Sequence, residues 1–98
     1  LSAPPPPPPV FSSLGLSVGP NPVRSGDVEV RWSAPGHANV RVRVLDATGR
    51  LVRELTPGTG VTRWALDDAH GARVAAGVYM LVLEVAGERR ARRVAVVH

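Results

Sequence analysis

The chain has no cysteine, no lysine and no isoleucine, and its 98 residues include only two Trp, one Tyr, one Phe and one Met. Without cysteine, a disulfide framework, a zinc–thiolate cluster and a thiol nucleophile are all excluded. An extracellular setting is compatible with that absence. No apolar run approaches the ~20 residues that carry a helix across a bilayer, so no transmembrane segment is expected. No signal peptide is visible and the first residue is Leu1 rather than Met, which suggests a processed product or a piece of something longer. All twelve basic residues are Arg, against eight acids, for a net charge of +4. The all-Arg usage suits a GC-rich genome. Such a balance raises nucleic acid as a partner. The arginines are spread over several segments, however, and only Arg89, Arg90, Arg92 and Arg93 crowd together, which argues against it.

What the chain does contain divides at about residue 13. Residues 1–13 hold six consecutive prolines, Pro4, Pro5, Pro6, Pro7, Pro8 and Pro9. With φ held near −65° and no amide hydrogens, such a run forms a polyproline II rod of roughly 19 Å. It reads as a stiff linker or as a docking arm anchored by Leu1, Val10 and Phe11. Residues 14–98 form the domain, long enough to bury about 60–65% of the surface of the unfolded chain.

Within that domain, apolar and polar residues alternate with the period of half-buried strands. Leu14, Leu16 and Val18 open the series, followed by Val28, Val30 and Trp32, then by Val40, Val42 and Val44. A hairpin turn at 46–50 leads to a fourth strand over 51–55. A fifth covers 61–66, with Trp64 as a core anchor. The sixth, 77–86, is apolar on both faces and therefore central. Gly87-Glu88 closes a tight hairpin to a seventh over 89–97. Gly/Pro/Asn turns separate the strands, and no helix of useful length is expected. The reading is all-β: a seven-stranded antiparallel immunoglobulin-like β-sandwich behind an extended proline-rich N-terminal arm.

Several residues invite a chemical reading. Asp67 and Asp68 are adjacent, without the second reactive group that general acid/base work needs. As one edge of a calcium site they would need further oxygen ligands. His37, His70 and His98 lack metal-ligand spacing, and no Ser-His-Asp ordering supports a hydrolase. No enzyme and no cofactor are expected. Asp68 and Gly71 suit a turn, Gly77 a bend at the start of a strand, and Asn21 an Asx-type turn between Pro20 and Pro22. Trp64 and Tyr79 suit the core. The Arg89–Arg93 run either guards an edge strand or meets an anionic surface.

Four local patterns occur in order: Pro20-Asn21-Pro22, the hairpin from Val44 to Val52, the turn Gly71 to Tyr79, and a basic-then-apolar last strand. Together they resemble the immunoglobulin-like domain of the flagellar hook-capping protein and the C-terminal sorting domains of type IX secretion cargo. Hook-capping domains usually carry Asp-Gly directly after the Trp, where this chain has Ala65-Leu66. The resemblance implies a non-catalytic, extracytoplasmic bacterial accessory domain that sorts, attaches or assembles an N-terminal passenger. The alternative is a structural subunit whose proline arm docks on neighbouring subunits. Carbohydrate binding, a third class, is poorly served by so few aromatics.

Overall fold

The computed structural model describes residues 14–36 and 39–98. The proline arm with its anchors, and His37, lie outside the described residues. Seven strands follow in order: β1 (Gly15–Gly19), β2 (Val28–Ser33), β3 (Val40–Asp46), β4 (Leu51–Leu55), β5 (Val61–Trp64), β6 (Gly77–Val85) and β7 (Glu88–Val96). All pair antiparallel, in a three-stranded sheet β1-β2-β5 and a four-stranded sheet β4-β3-β6-β7. This is the expected immunoglobulin-like sandwich. Among the described residues there is no helix, and hence none long and apolar enough to cross a membrane.

Period-two alternation builds the core. Leu16 from β1, Val28 and Val30 from β2, Val42 and Val44 from β3 and Leu81 and Leu83 from β6 all turn inward and are buried. Among the described residues no polar or charged side chain is buried with them. Fully buried Trp64 packs on Tyr79, with ring centroids 5.3 Å apart and planes tilted by 59°. That tilted geometry suits the ring quadrupoles. Trp32 is only half-buried at the rim, and its Nε1 donates to the carbonyl of Pro57 at 2.7 Å.

Three local expectations shift. The fifth strand ends at Trp64 rather than Leu66. Leu66 is buried, as alternation suggests, but sits at φ 60°, so the chain has already turned. The last hairpin turns on Ala86-Gly87, with Val85 opposite Glu88, and both turn residues have positive φ. That is the type I′ geometry whose twist matches the flanking strands. Gly77 takes no left-handed conformation. A Cβ placed there would meet only the Tyr79 ring at 3.9 Å, so no close approach requires glycine.

Candidate functional site

Two turns at one end of the sandwich share an Asp-Ala-x-Gly pattern and one geometry. Asp46-Ala47-Thr48-Gly49-Arg50 joins β3 to β4, and Asp68-Ala69-His70-Gly71-Ala72 lies between β5 and β6. In each, the aspartate carbonyl accepts from the glycine amide (3.0 and 3.1 Å), and the aspartate amide donates to the fifth residue's carbonyl (2.9 and 2.8 Å). In each, Oδ1 also accepts from the amides two and four residues on. The distances are 2.9 and 3.0 Å for Asp46 and 2.8 and 2.9 Å for Asp68. Gly49 and Gly71 take φ of 86° and 83°, where a side chain would be strained. Each turn was legible as a turn. The repeated Asp-Ala-x-Gly spacing was the missed signal that they are one device used twice.

These bonds set the carboxylates' electrostatics. The Thr48 hydroxyl and the Arg50 amide hold Asp46 below the ordinary carboxylate range, and the amides of Ala72 and His70 do the same for Asp68. Hydrogen bonds donated to an ionised carboxylate favour the charged form and so lower its pKa. The neighbouring Asp67 points away and pairs with Arg53. Its carbonyl accepts from Trp64 Nε1 at 2.8 Å, and Ala69 donates to the Val52 carbonyl at 3.1 Å, so the crossover is pinned to core and β4 alike.

The two turns flank an open cleft of about 470 Å³, whose polar lining includes Asp46, Arg50, Asp68, His70, Arg73 and Tyr79. The Tyr79 hydroxyl donates to the Ala75 carbonyl at 2.6 Å, and burial, seconded by Asp46, raises its pKa. Arg73 donates to the Arg24 carbonyl at 3.3 Å. The Oδ1 atoms of both aspartates here are committed to amides of their own turns, which braces this end of the sandwich. Among the described residues, no three His, Asp or Glu side chains group as a metal site.

The Arg run lies on β7, an edge strand, and the register splits it. Arg90 and Arg92 stand opposite Leu83 and Leu81 on the inward side, whereas Arg89 and Arg93 stand opposite Glu84 and Met80 on the outer face. The inward pair folds back on its own backbone: Arg90 Nη1 donates to the Arg89 carbonyl and Arg92 Nη1 to that of Ala91, both at 3.1 Å. Further along, Asn21 Nδ2 donates to the Arg93 carbonyl at 3.1 Å and the Val23 amide to that of Ala95 at 2.9 Å. Four alternate carbonyls along the open edge thus each accept a hydrogen bond. Asn21 also accepts from the Ala95 amide at 3.0 Å, so it acts as a long-range clamp on β7 instead of closing its own turn. Val97 returns a bond to the Val23 carbonyl at 2.9 Å, completing a parallel bridge between Val23 and Val96.

Solved structures share this fold, among them two from one organism. One is PorZ, described as an essential bacterial surface component of the type IX secretion system of Porphyromonas gingivalis. Its matching region covers 86% of this chain and 12% of PorZ, with a TM-score of 0.70 and 31% identity. The other, dimeric latent PorU from the same organism, matches over 86% of this chain and 9% of its own, with a TM-score of 0.65 and 25% identity. The likeness is to one module of each. The chain spans about a tenth of the length of these proteins. No protein-family model and no curated protein matches it. PorZ carries the type IX secretion side of the sequence resemblance, and the hook-capping side has no counterpart in these two structures.

Proposed function

We propose that this chain is a non-catalytic accessory domain of a larger extracytoplasmic protein, serving its sorting, surface attachment or assembly through type IX secretion. The observation that carries this reading is the match of 86% of the chain, at 31% identity, to a small part of a surface component of that system. The cleft chemistry is compatible with it, because the two aspartates brace their own turns. The Arg run guards the β7 edge in this reading, and the partners are the passenger and the secretion apparatus.

The test is a fusion of the full 98-residue chain behind a reporter protein, expressed in a bacterium with a working type IX system. Protease accessibility of the reporter on intact cells is the readout. Surface exposure that disappears in a strain lacking the system is the expected result. A reporter retained inside, or exposed equally in both strains, overturns the reading.

A further inference from the structure

The outer face of the four-stranded sheet breaks the alternation that the rest of the sandwich obeys. On β6 the outward positions are Val78, Met80, Val82 and Glu84, three of them apolar where one solvated face should be polar. The register sets Leu45 beside Met80, with Leu51 beyond it on β4, and puts Ala91 beside Val82 on β7. Val82 is 4% exposed although it lies outside the central core cluster. Leu51 and Val78, 57% and 43% exposed, are two of the three large apolar side chains the described residues leave in solvent. A shallow hollow of about 370 Å³ lies over Leu45, Met80, Val82 and Ala91, with Arg89 at its side.

The surround of this patch is basic. Arg41, Arg43, Arg89 and Arg93 share the face with only two acids, Glu54 and Glu84. Glu84 is shared between Arg43 (3.6 Å) and Arg89 (3.2 Å), and Glu54 lies 3.8 Å from Arg41. An aliphatic centre containing methionine, ringed by arginine, is the composition found at protein interfaces. Three occupants differ in chemistry. A second copy would set arginines against arginines, a like-charge juxtaposition that costs affinity. A lipid surface calls for interfacial Trp or Tyr. The described aromatics lie elsewhere, Trp32 on β2, Trp64 on β5 and Tyr79 on the inward side of β6. An acidic protein surface matches both the charge and the apolar centre.

We propose that the outer face of the four-stranded sheet, centred on Met80, docks a protein partner presenting aliphatic side chains among carboxylates. The inference stands independently of the secretion reading. Met80 is the chain's one methionine, so its methyl group gives a single NMR signal in the middle of the face. The probe is a synthetic peptide alternating valine or leucine with glutamate, titrated into the full chain. Saturable movement of the Met80 methyl signal is expected. Val78→Glu should weaken binding about tenfold or more. Val61→Glu, at a site 44% exposed on the opposite sheet, should leave it unchanged, and Trp64 fluorescence verifies that both variants fold. No movement at millimolar peptide overturns the proposal, as does an equal response to a lysine-for-glutamate peptide. A Met80 response to phosphatidylglycerol vesicles that exceeds the peptide's assigns the face to lipid. A peptide-free, concentration-dependent shift abolished by Val78→Glu assigns it to a second copy, and either result also overturns the proposal.

Discussion

Ala86 and Leu66 are the two non-glycine residues with left-handed backbone among those described, at φ 50° and 60°. An L-residue there costs about 1–2 kcal/mol, but the two respond to substitution in opposite ways. Ala86 is exposed and precedes Gly87 in a type I′ turn, where asparagine is preferred. Ala86→Asn should raise the melting temperature by about 3–6 °C, from a recovery of about 0.5–1 kcal/mol. Leu66 is buried at 1% exposure. Leu66→Gly relieves the strain but forfeits about 2–5 kcal/mol of packing, so thermal denaturation should show a net loss of stability. The paired aspartates add a pH dependence. Because Asp46 and Asp68 have depressed pKa values when folded, their stabilisation is complete above about pH 4 and is lost as pH falls through the depressed values. In the Asp46→Asn/Asp68→Asn double variant, melting temperatures measured across acid pH should fall less steeply than in the parent. Trp64, Tyr79 and Asp68 were legible because a large aromatic on a strand and an aspartate before glycine each have few good uses. Asn21 was not. Its partners, Arg93 and Ala95, lie more than seventy residues away, and nothing local announces them.

At the scale of elements, the sandwich manages its edges by different means. β5 is only four residues long. On β4 the register slips between Val44 and Leu45 of its neighbour, and the Val52 carbonyl accepts from Ala69. On β7, inward-pointing arginines fold over the edge carbonyls, one of the recognised defences against unwanted pairing. Arg90→Ser/Arg92→Ser should therefore increase self-association, followed by light scattering, with little change in melting temperature. Asn21→Ala should cost about 1–2 kcal/mol for two hydrogen bonds and speed hydrogen exchange at the Ala95 amide. Strand existence was readable because half-buried antiparallel strands alternate, and centrality because β6 is apolar on both faces. Boundaries slipped where burial and backbone part company. Leu66 continues the apolar pattern after its strand has ended, and alanine at position 86 is not a turn residue by type.

For the whole molecule, seven short alternating strands between turns pointed to a sandwich, but the assignment of strands to sheets depends on contacts between distant segments that periodicity does not encode. β5 joins β2 rather than β4, and the crossover that follows returns the chain to the other sheet as β6. The outer face of that second sheet was equally hidden, since a strand apolar on both faces reads as central whether or not something covers it. One feature of the topology bears on the proposed tethering of a passenger. The segment around Val23 runs parallel to the end of β7 and is joined to it by the Val23–Val96 bridge and the Asn21 clamp. Tension applied between Leu14 and His98 would pull these parallel segments in opposite directions, loading their hydrogen bonds in shear together instead of peeling them one by one. Forced unfolding is governed by the unfolding rate, so single-molecule pulling should show one high-force rupture, lowered by Asn21→Ala. A domain built this way would carry tension between its two ends as a single mechanical unit.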